Sequence, residues 1–172
     1  MDEFKSYQQD LMIGASLAAS IPWGKYNSEQ RLNVGANRSL IQPGIGASQA
    51  IGPWRLELAG MATVYKSNTS FMGSNTLSQN PMYSTESHGI YYFENMAWIS
   101  ADATYYMGVQ SYVNGLPIND SQENWRFGST LSYPINKHNS IRLTGSKGVY
   151  SRTNNSYDAI SVAWQYRWGG GI

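Results

Sequence analysis

Nine ionisable residues are the candidates for chemistry in this chain: Arg38, Arg55, Glu57, His88, Glu94, Asp102, Arg126, Arg142 and Arg167. They belong to the polar side of segments whose apolar and polar residues alternate. Charged groups so arranged can line a path and set its charge preference, as rings of charge do in pores. They can also bond to one another and plug a small interior. For eight strands the plug is the expected state, because a barrel of that size is about filled by its own side chains. Five of the nine are arginine against Glu57, Glu94 and Asp102, so such an interior would be positive by two charges. Catalysis finds no support. No serine stands in a G-x-S-x-G elbow. His88 and His138 are isolated, without the ligand spacing of a metal site. Gly44-Ile45-Gly46 has no helix after it and reads as a strand kink, not a phosphate cradle. No catalytic residue, metal or cofactor is expected.

The elements that must hold these residues are strands, and the last is the clearest. From Tyr157 to Trp168 the sequence YDAISVAWQYRW splits by alternate residues into two faces. Asp158, Ile160, Val162, Trp164, Tyr166 and Trp168 form one; Tyr157, Ala159, Ser161, Ala163, Gln165 and Arg167 form the other. The apolar list runs from aliphatic to aromatic, as in a strand that crosses lipid and ends at the water boundary, where Trp and Tyr have an apolar body and a polar tip.

Seven further strands are expected: 5–20, 37–50, 54–66, 82–93, 96–109, 123–133 and 140–150. The third sets Trp54, Leu56, Leu58 and Val64 against Arg55, Glu57 and Met61. The fifth sets Ile99, Ala101, Tyr105 and Met107 against Trp98, Ser100 and Asp102. The sixth sets Trp125, Phe127, Leu131 and Tyr133 against Arg126 and Thr130, and the seventh Ile141, Leu143 and Val149 against Arg142 and Thr144. The fourth alternates weakly, with Tyr91 and Phe93 outward and His88, Ile90 and Tyr92 inward. Pro43 cannot donate to a ladder, so a bulge or bend is expected in the second strand. Polar loops at 67–80 and 110–122 contrast with short turns at 51–53, 94–95 and 134–139.

Composition agrees with a membrane barrel. Only 13% of the 172 residues are charged, against ~25% in soluble domains. Yet the mean hydropathy is −0.43, because polar uncharged residues fill the gap. Thirteen Tyr, six Trp and seventeen Gly suit strands with one face in lipid and one in water. No run approaches the ~20 apolar residues of a membrane helix. A formal charge of +1 gives no case for nucleic acid, and the absence of cysteine excludes a disulfide framework. The first ten residues, MDEFKSYQQD, have no apolar h-region, so no signal peptide is expected in this sequence, which then reads as a mature form or a fragment. The fold expected is a single all-β domain over 1–172, an antiparallel up-and-down transmembrane β-barrel of about eight strands. Short turns on one side and long loops on the other put both termini on the periplasmic side. Trp54, Trp125, Trp164, Tyr166 and Trp168 are the expected lipid-interface aromatics.

Several segments resemble one family. They are Trp98-Ile99-Ser100-Ala101-Asp102-Ala103-Thr104-Tyr105-Tyr106, the run Asn124 to Pro134 (NWRFGSTLSYP), His138 to Leu143 (HNSIRL), the closing Ala163-Trp164-Gln165-Tyr166-Arg167-Trp168, and Ser20 to Tyr26 (SIPWGKY). Together they resemble the C-terminal portion of the outer-membrane channels described as putative MetA-pathway of phenol degradation proteins, over nearly the whole chain. The resemblance implies a barrel in the bacterial outer membrane that passes small hydrophobic or aromatic solutes, with membrane lipid or detergent as its surroundings and no enzymatic activity. Members are usually longer than this chain. Two other readings fit the residues: a structural eight-stranded barrel with a plugged lumen, and a soluble lipocalin-like binding barrel whose apolar residues point inward. The oligomeric state is left open.

Overall fold

The computed structural model describes residues 10–30, 32–153 and 156–168. In chain order its strands are β1 (Leu11–Ser20), β2 (Leu40–Ile51), β3 (Trp54–Tyr65), β4 (Asn68–Phe71), β5 (Asn75–Gln79), β6 (Met82–Tyr92), β7 (Trp98–Gly108), β8 (Ser111–Val113), β9 (Leu116–Pro117), β10 (Gln122–Pro134), β11 (Asn139–Ser151) and β12 (Asp158–Tyr166). The eight long strands form one antiparallel sheet in the order β1-β2-β3-β6-β7-β10-β11-β12. Sheet order is therefore chain order, the up-and-down arrangement expected. Among the described residues β1 and β12 do not pair with each other, so the sheet has two edges where a closed barrel has none. The expected first strand begins at residue 5; its start lies outside the described residues.

Direct cross-strand partners share a face, so the register carries one face from strand to strand. Ile45 opposes Gly60, and Leu56 opposes Gly89, which opposes Ala101. Ile99 opposes Leu131, Leu131 opposes Leu143, and Leu143 opposes Val162. This face is apolar, and it is the exposed one. Leu56, Leu58, Ile99, Phe127, Leu131 and Leu143 are all exposed, whereas their neighbours Arg55, Glu57, Ser100, Gly128 and Thr130 are buried or half-buried. The only buried hydrophobic residue among those described is Ala97; Thr63, Asn68, Ser100, Ser111, Asn124 and Ser132 are buried polar residues. A soluble protein of this size does the reverse. Ile160, Val162 and Trp164 lie on the apolar face at the β12 edge and pack into no core; all of β12 is exposed, on both faces. A lipocalin-like interior, with apolar residues enclosed, is not what the chain builds.

The short connections follow from their residues. Ile51 and Trp54 pair directly, leaving a two-residue turn, Gly52-Pro53, in which Gly52 has φ of 56°. Glycine at the first central position gives the backbone twist that suits a tight hairpin. Between β10 and β11 the Asn136 side-chain oxygen accepts from the backbone N–H groups of His138 and Asn139.

Pro43 and Gly44 sit in an unshifted register. β2 runs through Pro43 without a bulge: Ile41 opposes Val64 and Gly44 opposes Met61, so the register is unbroken. The proline opens the β2–β3 ladder at 42–43, where the Gln42 amide instead donates to the Thr63 hydroxyl at 2.9 Å. Gly44 is closely packed. A Cβ there would lie 2.8 Å from Ser16 Oγ and 2.9 Å from Met61 Cγ, so glycine is what the side-chain packing admits. The bulge lies between β10 and β11, where Arg126 opposes Gly148 but Trp125 opposes Tyr150. Val149 is the extra residue, and Tyr150 takes the apolar-face position beside Trp125 expected of Val149.

The long loops are not featureless. β4, β5, β8 and β9 form a second sheet in that order, so the two loops between long strands pair with each other, Leu77 opposite Val113. Asn68, 1% exposed, ties in the first loop as well. Its amide nitrogen donates to Tyr26 Oη at 3.0 Å and to the Ala36 carbonyl at 3.2 Å. Its oxygen accepts from Asn37 Nδ2 and the Ser70 backbone N–H.

Candidate functional site

The enclosed, polar face of the large sheet gathers most of the ionisable residues. One register row runs Ser48, Glu57, His88, Asp102, Gly128, Ser146 across six strands. Within it the Ser48 hydroxyl donates to Glu57 Oε1 at 3.2 Å, and His88 Nδ1 donates to Asp102 Oδ1 at 2.7 Å. Asp102 Oδ2 accepts from the Ser100 hydroxyl at 3.0 Å. The next row toward the long loops holds Ala59, Glu86, Thr104 and Arg126. Arg55 faces the same way one row toward the short turns, opposite Ile90.

The arginines are seated differently from the acids. Arg126 Nη1 donates to the Tyr157 carbonyl and Nη2 to the Ser146 hydroxyl, each at 3.0 Å, and its guanidinium lies 3.9 Å from the centre of the Tyr157 ring. Arg142, in the row of Ser132 and Trp98, reaches over Ser132 to stand 5.2 Å from the Trp98 ring. Arg38, two residues ahead of β2, stands 4.6 Å from the Tyr65 ring. Its Nη1 is buried without a hydrogen-bond partner. Burial lowers its pKa from the ordinary value and Tyr65 opposes that shift. Among the described residues the one contact within 4.0 Å between a basic side chain and a carboxylate is His88–Asp102; no arginine lies that close to a carboxylate. The mutual cross-linking expected of a plug by arginines and acids is not the arrangement found.

Two of the nine expected residues, besides Arg38, lie beyond the strands that build the face. Glu94 is exposed in the turn between β6 and β7, and Arg167 is exposed one residue past β12, its backbone N–H donating to the His138 carbonyl. Glu86, not expected, joins it. With Glu86 in place of Glu94 the balance is five arginines, Arg38 and Arg167 at the strand ends, against Glu57, Glu86 and Asp102, an excess of two positive charges. Glu86 escaped notice because the outward residues around it, Thr85, Ser87 and Gly89, are too polar or too small to mark a period. Among the described residues no cluster of three His, Cys, Asp or Glu could hold a metal ion.

The apolar face carries aromatic clusters toward both ends of the strands. At the short-turn end Trp54 meets Tyr91 edge-on at 5.0 Å, and Tyr91 meets Phe93 likewise. There too Tyr166 lies 6.1 Å from Trp164 and 6.2 Å from Trp168. Trp164 Nε1 donates to Asn139 Oδ1 at 3.0 Å. At the long-loop end Trp125 lies 4.7 Å from Tyr105 and stacks on Phe127 at 6.0 Å. Trp125 is thus at the opposite end from the other four expected aromatics.

Comparison with known proteins adds three findings. A family model described as "Putative MetA-pathway of phenol degradation" matches residues 5–166. No curated protein matches the chain. Among solved structures, the crystal structure of an outer membrane channel from Pseudomonas putida F1 superposes with a TM-score of 0.78 at 21% identity, over 91% of this chain and 59% of that one. The two share the fold, and this chain spans under two thirds of the length of its solved counterpart.

Proposed function

We propose, on the premise that the chain belongs to the family described as putative MetA-pathway of phenol degradation, that its eight-stranded sheet is the wall of an outer-membrane β-barrel channel for small hydrophobic or aromatic solutes. The observation that carries this reading is the inverted burial: apolar residues exposed along one face of the sheet, polar ones enclosed on the other. In water such a face far exceeds the few hundred Å2 of apolar patch a soluble monomer tolerates. In lipid it is the required surface.

Its height supports the same reading. On β10, Tyr133 and Trp125 bound the apolar face eight residues apart, about 27 Å along the strand. At a tilt of 35–45° that is roughly 19–22 Å of height, close to the ~25 Å apolar band of such barrels. Trp54, Trp164, Tyr166 and Trp168 would sit at one interface and Trp125 at the other. Arg38, Arg55, Glu57, His88, Asp102, Arg126 and Arg142 would then line the lumen, joined by Glu86, with Glu94 and Arg167 at its periplasmic mouth. No part of this needs a catalytic group, and we read the chain as a transporter and not an enzyme.

The test has two parts. Full-length protein should require detergent or lipid to stay dispersed; a monodisperse preparation in plain buffer would overturn the membrane reading. Reconstituted in planar bilayers or proteoliposomes it should pass ions or small solutes. Stable insertion with neither conductance nor swelling would leave a structural barrel and remove the channel.

A further inference from the structure

Resting on the channel reading, we propose that the three arginines seated on aromatic rings, Arg142 on Trp98, Arg126 on Tyr157 and Arg38 on Tyr65, are stepwise binding positions for solutes that carry both an aromatic ring and a carboxylate. Each guanidinium stands over a ring, at 5.2, 3.9 and 4.6 Å from its centre. A ring covers only one face of a planar guanidinium. The in-plane N–H donors, in the fork geometry that matches a carboxylate, lie outside that contact, although Arg126 gives two of its five and Arg38 Nη1 is buried, and a second ring can stack on the other face. An arylcarboxylate satisfies both features at once; a neutral arene or an aliphatic acid satisfies one.

The charges are also unspent. Arg126 gives its two hydrogen bonds to neutral oxygens, the Ser146 hydroxyl and the Tyr157 carbonyl. The acids of the same face stand on other strands, Glu57 on β3, Glu86 on β6 and Asp102 on β7, and Asp102 is held by His88 and Ser100. The acids and Arg55 thus stand on β3, β6 and β7 and Arg126 and Arg142 on β10 and β11, with Asp102 Oδ2 reaching to 3.6 Å from a Cβ built on Gly128.

Spacing makes the positions a series and not one deep site. Arg142 and Arg126 lie three rows apart on the enclosed face, roughly 20 Å along the strand direction. Arg38 lies beyond the long-loop end of β2. A single-ring acid cannot bridge two of them, so each holds it alone and weakly, the condition for passage through a multi-site pore.

Proteoliposome swelling with full-length protein tests this, using benzoate, cyclohexanecarboxylate, benzyl alcohol and benzylammonium. Wild type should pass benzoate fastest. The R126A/R142A variant should slow benzoate about tenfold more than it slows benzyl alcohol, the loss expected for charge-assisted bonds to a carboxylate. Lys137, exposed in the β10–β11 turn, supplies the control, and Lys137→Ala should behave as wild type. If the alanine variant fails to fold, R126K/R142K keeps the charge; it should retain preference for acids over benzylammonium yet lose the preference for benzoate over cyclohexanecarboxylate. Equal passage of all four solutes by wild type would overturn the inference and leave the channel standing. Passage of none would overturn both.

Discussion

Replacing Leu58 by arginine tests the membrane assignment at one side chain. Leu58 lies on the apolar face of β3, 58% exposed, four residues beyond Trp54. Four residues are about 14 Å of strand, or roughly 10–11 Å of height at a tilt of 35–45°. If Trp54 marks one interface of a ~25 Å band, Leu58 sits within a few ångström of the midplane. Arginine on the lipid face costs about 2–4 kcal/mol there and about 0–1 kcal/mol near an interface. Val64, ten residues from Trp54 on the same face, comes out at the far boundary and supplies the comparison. Leu58→Arg should therefore lower the folded-to-unfolded ratio by roughly 30-fold to several hundred-fold, and Val64→Arg by less than about tenfold. Ala59→Arg, one residue on and facing the polar side beside Glu86, should lose less than Leu58→Arg. The assay is urea unfolding in lipid vesicles, followed by tryptophan fluorescence. Equal losses at 58 and 64, or a larger loss at 59 than at 58, would refute the assignment of faces.

Three further outcomes are expected. A double-mutant cycle on His88 and Asp102 should give a coupling of about 0.5–1 kcal/mol, held down because the His88 side chain is 35% exposed; a coupling indistinguishable from zero would mean the 2.7 Å contact contributes nothing. Asn68→Ala removes four hydrogen bonds from a buried position. It should loosen the loop layer by about 1–3 kcal/mol, seen as new proteolytic cleavage within 21–39 and 67–80 while the long strands stay protected; unchanged loop cleavage would count against Asn68 as the link. Val109 holds φ of 66°, a conformation costly for a β-branched residue. Val109→Asn should raise stability by about 1 kcal/mol, and a lower urea midpoint would show that the valine is needed for its packing.

The long strands were readable in the sequence because each carries a two-residue period strong enough to fix its face. Where the period failed, so did the reading. In β6 the apolar side is Tyr83, Thr85, Ser87, Gly89 and Tyr91, and Glu86 was lost against that background. The loop sheet is not legible because strands of two to five residues are too short to show a period. One local signal was there: Asn114-Gly115, with φ of 50° and 81°, sits between the paired Val113 and Leu116 as a type I′ hairpin turn does. Pro43 misled because a missing donor opens a ladder without having to shift it. Alternation placed Arg126 and Arg142 on the correct face but could not supply their partners. Tyr157 and Trp98 each lie two strands away in the sheet, a distance set by register.

Because sheet order repeats chain order, every neighbouring pair of long strands is also consecutive among the long strands. Such a sheet can zip hairpin by hairpin, with modest loop-closure cost at each step. The edges of β1 and β12 stand apart from that process. Among the described residues their outward backbone groups have no partner in the sheet, and in hydrocarbon each unpaired group costs several kcal/mol. On the proposed membrane reading, entry into the bilayer is conditional on a seam: whatever pairs with these two edges must arrive before or with the lipid. In the large sheet that seam is the one junction not between consecutive long strands, the natural slow step, and the place where a foreign strand could intrude.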